Sequence, residues 1–205
     1  MAPKYFVPIV YLHLLAGTGA TFASSQFPMG SGLAYRIGLF VSSIVALFAL
    51  FALSPGPLKY LVAALFCALL GQTMTAFVEN LEHKDLLAKT LVGTLGVFGA
   101  MSAIGFYDNQ NLLGFGPYLL AALIGLLIAR IGSAFLMPPS SVKSTTLNKA
   151  FSWIGAALFA AYTAYDTQRM KADAKSKKTP DYVDSSLGLY LDFLNLFQNI
   201  GSLEE

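Results

Sequence analysis

Seven apolar segments, separated by short polar or proline- and glycine-containing turns, constrain the fold of this chain more than any other feature. They cover residues 5–23, 34–53, 58–78, 86–106, 112–137, 150–170 and 185–203. Each is close to the ~20 residues that an α-helix needs to cross the ~30 Å hydrocarbon core of a bilayer. The sequence therefore predicts an all-α membrane protein, with residues 1–205 forming a single polytopic domain of seven transmembrane helices.

Composition supports a membrane protein and excludes several other classes. The chain is 56% hydrophobic and only 12% charged, whereas about 25% of residues are charged in soluble domains. The net charge of +2 is scattered and forms no basic stripe, so the lipid bilayer is a predicted partner and nucleic acid is not. Cys67 is the single cysteine of the sequence, which excludes an intrachain disulfide and a thiol metal cluster.

The last apolar segment carries a stripe of polar and small residues in its middle. Gly188, Asp192, Asn195, Asn199 and Ser202 follow one another at spacings of three or four residues, so on a helix they share one face. A carboxylate there costs roughly 2.5–3.5 kcal/mol on insertion scales unless it faces protein or water. We therefore expect this stripe to face other helices or an aqueous path.

A second acid, Asp166, ends the sixth segment, and only the charged connection 170–184 separates it from the last segment. At a rise of 1.5 Å per residue, Asp166 and Asp192 lie about 7 and about 10 Å inside from that connection. If both helices cross the membrane they run antiparallel, and the two carboxyls meet at nearly the same depth. Such a pair shares a proton and titrates as one unit, or it binds a calcium ion between its oxygens.

The same residues also fit a purely structural arrangement. Each acid would then separately meet an arginine or a backbone amide and only hold the helices together. Arg169, one turn from Asp166, is the nearest basic side chain in the sequence.

The motifs around the two acids resemble those of a known membrane protein family. Residues 165–168 (YDTQ) and 189–197 (LYLDFLNLF) are similar to the hallmark of the transmembrane Bax inhibitor motif family, the Bax inhibitor-1-like proteins. The resemblance covers nearly the whole chain, because the seven segments and Gly71 in the third segment also fit.

The resemblance implies a seven-helix bundle with the C-terminal helix central, acting as a pH-sensitive calcium leak. Asp166 and Asp192 would be its pH sensor and gate, and also its calcium ligands. In a eukaryote or a virus it implies the endoplasmic reticulum or another endomembrane, with cell-death regulatory membrane proteins as partners. In a bacterium it implies the cytoplasmic membrane.

Some positions depart from the family pattern. Thr75, four residues after Gly71, stands where many eukaryotic members carry a glutamate. Glu79, one turn further on, either takes that role or is the helix-end acid of a solvated connection. The basic residue that bacterial relatives carry after the second helix is not an arginine here; Lys59 is nearby, and Arg36 lies at the opposite end of that helix.

Candidate site residues follow from these patterns and the resemblance together. The candidates for the ion path are Asn195, Asn199, Glu79 and Thr75. The candidate ion-pair partners of the two aspartates are Arg169, Lys59 and Arg36.

Three functions are compatible with the sequence. The first is a passive calcium leak gated by the Asp166–Asp192 pair, which modulates calcium stores and cell death. The second is a non-conducting scaffold that suppresses cell death through protein partners. The third is a proton-coupled cation transporter, although the chain lacks the internal repeat of such transporters.

An enzyme is not predicted. His13 and His83 are far apart in the sequence, and there is no nucleophile motif. Accordingly no catalytic residue and no cofactor are predicted, apart from calcium as a permeant or bound ion.

Overall fold

The computed structural model describes residues 5–108, 110–136, 142–176 and 181–204. Within these ranges the chain forms seven α-helices and one 3-10 turn, and no β-strand. The elements are α1 (Phe6–Ser25), α2 (Leu33–Ala52), α3 (Pro57–His83), α4 (Leu87–Tyr107), the 3-10 turn (Leu112–Phe115), α5 (Gly116–Leu136), α6 (Val142–Ser176) and α7 (Tyr182–Glu204). The all-α class predicted from the sequence is confirmed.

Five helical stretches of the described chain are long and apolar enough to cross a membrane. They are Phe6–Ser25, Leu33–Ala52, Pro57–His83, Leu87–Tyr107 and Leu112–Ser133. Large apolar side chains such as Phe40 and Phe48 are more than half exposed, as expected for a surface that lipid covers. The chain is thus an integral membrane protein. The crossing of α6 and α7, and the central position of the last helix, stay predictions.

Several helices extend beyond the apolar segments, and this corrects three expectations. Glu79 is helical, because α3 continues to His83 and turns only at Asp85, which has a positive φ of 56°. Residues 142–149, expected in a loop, begin α6. The charged connection is shorter than expected, because α6 continues to Ser176 and α7 already starts at Tyr182. Hydropathy shows where a segment stops being apolar, but it does not show where the helix ends. A helix can continue into water because alanine, lysine and glutamate also favour helix there. Residue 137, the last of the fifth predicted segment, lies outside the described residues.

The first of two compact units comprises residues 1–84 and 172–190. Within it α1 and α3 pack closely at Gly71, where a Cβ would lie 2.3 Å from the carbonyl oxygen of Thr21. The Thr21 hydroxyl donates to the carbonyl of Cys67 (3.1 Å), and the Ser24 hydroxyl donates to the carbonyl of Ala68 (2.8 Å). Small residues and hydroxyl groups at the contact are the usual means of helix association in a bilayer.

The second unit comprises residues 85–171 and 191–205. Three contacts show how α4 and α7 run within it: Lys89 pairs with Glu204, a Cβ at Gly93 would lie 3.6 Å from Ile200, and the Phe98 ring packs on Phe193. Residue numbers rise along α4 as they fall along α7, so the two helices are antiparallel. Near its C-terminal end α4 also meets α6, where a Cβ at Gly105 would lie 2.2 Å from the carbonyl oxygen of Ala164.

Candidate ion-path site

The two aspartates of the sequence motif occupy matching positions on α6 and α7. Asp166 is ten residues before the end of α6 at Ser176, and Asp192 is ten residues after the start of α7 at Tyr182. Both are therefore about 15 Å along their helices from the segment that connects them. They lie further from the connection than expected, because both helices are longer than the apolar segments, but their positions still match.

Asp192 is a buried acid, and one of its carboxyl oxygens has no hydrogen-bond partner among the described residues. Its side chain is only 4% exposed, and no residue of the described chain forms a hydrogen bond with its Oδ2 atom. A buried carboxylate without a partner carries a large desolvation cost. A proton, a water molecule or a bound cation at Oδ2 would remove that cost.

The carboxyls of Asp166 and Asp192 interact electrostatically within the second unit. Tyr162, one turn before Asp166 on α6, is within electrostatic reach of both acids. Arg169 interacts with Asp166 over a longer range, but it is exposed, and among the described residues no ion pair joins the two side chains. Asp166 is thus within electrostatic reach of one positive charge, that of Arg169, whereas the charged group that acts on Asp192 is Asp166.

The two asparagines of α7 are held partly by their own helix. The Asn195 Nδ2 atom donates to the carbonyl of Leu191 (2.8 Å), and the Asn199 Nδ2 atom donates to the carbonyl of Asn195 (2.7 Å). The Asn199 Oδ1 atom accepts a hydrogen bond from Arg130 on α5 (2.6 Å). Of the two amides, Asn195 therefore has the freer side-chain oxygen for a cation.

Arg130 is a site residue that the sequence reasoning did not include among its candidates. Its contact with Asn199 needs Gly155 on α6, because a Cβ at that position would lie 2.2 Å from the Asn199 Oδ1 atom. A signal for this contact was present, since an arginine inside an apolar segment requires a polar partner. The identity of the partner depends on how α5, α6 and α7 pack, which the sequence does not state.

Three other candidates lie together in the first unit. Thr75, Glu79 and Arg36 line a cavity of about 470 Å³. Glu79 and Arg36 are exposed, and the Thr75 hydroxyl is directed to the carbonyl of Gly71 (3.4 Å). These three residues belong to the first unit, whereas the two aspartates belong to the second.

Lys59 has other partners than the aspartates for which the sequence suggested it. Its side chain is 1% exposed, and its Nζ atom lies 2.6 Å from a carboxylate oxygen of Asp181 and 2.6 Å from one of Asp184. It also donates to the carbonyl of Leu53 (3.2 Å). The sequence reading treated both acids as part of an aqueous connection. In the structure Asp181 directly precedes α7 and Asp184 lies in its first turn, and the Asp181 Oδ1 atom accepts the backbone N–H of Asp184 (3.1 Å).

The described residues contain no group of three or more His, Cys, Asp or Glu side chains that could hold a metal ion. Calcium takes about six to eight oxygen ligands. A calcium ion at Asp166 and Asp192 would therefore need water, amide or carbonyl oxygens as well.

Comparison with known proteins gives matches along almost the whole chain. A family model described as "Inhibitor of apoptosis-promoting Bax1" matches residues 4–203. The inner membrane protein YbhL of Escherichia coli (strain K12) is 34% identical over 174 residues, which cover 80% of this chain and 71% of YbhL. An uncharacterized protein of Deinococcus radiodurans is 30% identical over 213 aligned positions, covering 98% of this chain and 89% of the relative. Bax inhibitor 1 of Schizosaccharomyces pombe is 30% identical over 162 residues, covering 78% and 58%.

Proposed function

The chain belongs to the Bax inhibitor-1-like family, and on that premise we propose that it is a pH-sensitive passive calcium leak channel gated by Asp166 and Asp192. The observation that carries the proposal is the Oδ2 atom of Asp192, which is buried and has no hydrogen-bond partner in the described chain. An acid in that state is available to a proton or to a cation.

Proton sharing gives the pair two states. With one proton present, a hydrogen bond between the carboxyls can join α6 to α7. Without it, two negative charges repel each other in a medium of low dielectric constant, unless a cation bridges them. The pair therefore couples the distance between the helices to both pH and calcium.

The chemistry of the available groups suits calcium. Carboxylate and amide oxygens are hard ligands of the kind that calcium prefers, and Asn195 provides such an oxygen one turn from Asp192. A calcium leak would change the calcium content of the compartment that the membrane encloses. An effect on cell death, which the family description names, would follow from that change.

The test is calcium flux into dye-loaded proteoliposomes between pH ~5 and ~8, a range that brackets the titration of a coupled carboxyl pair. Wild type is compared with Asp166→Asn and Asp192→Asn. We expect wild type to leak with a rate that depends on pH, and each substitution to flatten that dependence.

The matched control is Asp85→Asn in the turn between α3 and α4. Asp85 is exposed and has a positive φ, which asparagine also tolerates, so the pH dependence should stay as in wild type. The proposed gate is refuted if the leak keeps its pH dependence in both Asp166→Asn and Asp192→Asn.

The same assay separates the two other functions that the sequence allows. A scaffold conducts no calcium at any pH, even when the reconstituted protein is folded. A proton-coupled transporter moves calcium only with a proton gradient, and its flux stops when the gradient is collapsed. A passive leak needs neither a partner nor a proton gradient.

A further inference from the structure

One face of α4 is buried, and most of it is polar. Its buried residues are Thr90, Thr94, Phe98, Ser102 and Gly105. They recur every three or four positions and therefore form one stripe along the helix. Three hydroxyl groups and one aromatic ring thus line the interior side of a helix whose opposite face is apolar and exposed.

Two of these hydroxyl groups have no hydrogen-bond partner in the described part of the chain. The Thr90 Oγ1 and Ser102 Oγ atoms are buried without a hydrogen bond to any described residue. The Thr94 hydroxyl, by contrast, donates to the carbonyl of Thr90 (2.7 Å). In the same unit, the Thr167 Oγ1 atom on α6 and the Asp192 Oδ2 atom on α7 are also buried without a partner.

Four such atoms in one unit are a consistent sign of internal water. Buried polar groups almost always have a partner, and ordered water fills that role where the protein does not. Because the four atoms are contributed by α4, α6 and α7, the water would lie among these three helices. The Asp192 carboxyl, the proposed gate, would be in contact with it.

The aromatic ring interrupts this polar stripe. Phe98 lies one turn from Thr94 on one side and one turn from Ser102 on the other. Its ring packs edge to face on Phe193 of α7, with a centroid distance of 5.6 Å and an interplanar angle of 78°, and both rings are 6% exposed. An apolar contact therefore separates the hydroxyl groups at one end of α4 from the hydroxyl group at the other.

We propose that Phe98 and Phe193 form a hydrophobic gate in the calcium path, with a hydrated segment on each side of it. The proposal rests on the function proposed above. Apolar constrictions in channels block ions because they dewet, and a hydrated ion does not enter a dry constriction. Phe193 follows Asp192 directly on α7, so a shift of α7 when the two carboxyls separate also moves this ring.

The first test measures water access without measuring calcium. In a Cys67→Ser background, Thr94→Cys and Ser102→Cys place a thiol one turn to either side of Phe98. A membrane-impermeant methanethiosulfonate reagent is then added to one side of sealed proteoliposomes. We expect each thiol to be labelled from one side only, and both to be labelled from either side after Phe98→Ala.

Val97→Cys is the control for this experiment, because Val97 is at the middle of α4 on its exposed, lipid-facing side. Its thiol should not be labelled from either side. The proposal fails if neither Thr94→Cys nor Ser102→Cys is labelled under any condition. It also fails if both are labelled from both sides while Phe98 is intact.

The second test is calcium flux through the aromatic variants. Phe98→Ala and Phe193→Ala should each raise the leak several-fold, whereas Phe98→Leu, which keeps an apolar side chain, should leave it near wild type. Phe66→Ala is the matched control: Phe66 is also buried and packs edge to face on a ring, that of Tyr190, but it belongs to the first unit. Its removal should not raise the leak.

The two tests distinguish the failure of the gate from the failure of the calcium function. If labelling follows the expected sidedness but no variant conducts calcium, the hydrated path and its gate stand and the calcium function fails. If wild type leaks calcium with the expected pH dependence but Phe98→Ala changes neither labelling nor flux, the gate fails and the function stands.

Discussion

Two acid clusters of this protein have the same chemistry and opposite surroundings. In the first unit, Asp181 and Asp184 share the buried amine of Lys59 at 2.6 Å each. In the second unit, Asp166 and Asp192 interact with each other, and Asp192 has a buried oxygen without a partner in the described chain. Because a fixed cation pairs with both acids of the first cluster, that cluster holds α3 to the start of α7. Among the described residues no ion pair supplies the second cluster with such a cation, and the gate proposed above depends on that difference.

The largest effect on stability should come from the compensated cluster. Lys59→Met removes a 1% exposed cation from Asp181, which is 12% exposed, and from Asp184, which is 37% exposed. Breaking a fully buried pair costs about 3–5 kcal/mol, and because Asp184 can be solvated we expect a loss at or below the lower end of that range. We expect a clear drop in the thermal unfolding temperature of the purified protein in detergent. The triple variant Lys59→Met, Asp181→Asn, Asp184→Asn should regain part of the loss, because no unpaired charge then remains. An unchanged unfolding temperature in the single variant would refute the structural role of this cluster.

Replacing Arg130, a cation of the second unit, should cause a smaller loss of stability. Arg130 donates to the Asn199 side chain (2.6 Å) rather than to an acid, and interhelical hydrogen bonds in membrane proteins average about 0.6 kcal/mol. Arg130→Gln should therefore destabilise the protein by about 1 kcal/mol or less. A double-mutant cycle with Asn199→Ala measures the coupling, and additive effects would mean that the contact contributes nothing.

Breaking an exposed ion pair of the same unit should cost still less stability. Lys89 pairs with Glu204 at the ends of α4 and α7, and the Lys89 side chain is 66% exposed. Exposed pairs contribute about 0.2–1 kcal/mol and are screened by salt. Lys89→Gln should lower the unfolding temperature slightly at low salt and not at all at high salt. A loss that is independent of salt would point to packing instead of charge.

The smallest effect on stability should come from the uncompensated cluster. Asp192→Asn removes an acid whose Oδ2 atom has no hydrogen-bond partner among the residues that the structure describes, so it breaks no hydrogen bond of that atom there. We expect the unfolding temperature to stay the same or to rise slightly, while the pH dependence of the leak changes. A loss as large as that of Lys59→Met would show that Asp192 is a structural residue, and the contrast between the two clusters would disappear.

Hydropathy was sufficient to predict the all-α class, because apolar segments of membrane-spanning length can bury their backbone only as helices. It failed at the ends of helices: Glu79 and residues 142–149 are polar and yet helical. The matching positions of Asp166 and Asp192 were also predictable. A single connection joins their two helices, and each aspartate is a similar number of residues away from that connection.

Partners that are distant in the sequence could not be predicted. Lys59 was assigned to the wrong acids because the start of α7 was read as a loop. The contact of Arg130 with Asn199 depends on the missing side chain of Gly155, and the contact of Phe98 with Phe193 depends on the antiparallel register of α4 and α7. Each of these is a property of packing between helices, which a single sequence does not encode in its local pattern.

The partners of Lys59 also set an order for the synthesis of this protein. Lys59 is separated from Asp181 by 122 residues, and a ribosome adding roughly 5–20 residues per second needs about 6–24 s to make that stretch. During this interval α3 carries an ammonium group whose acidic partners do not yet exist. The first unit also takes in residues 172–190, so its assembly must wait for the arrival of the last helix. The first unit therefore contains the residues that are made first, yet it can be completed only when nearly the whole chain has been made.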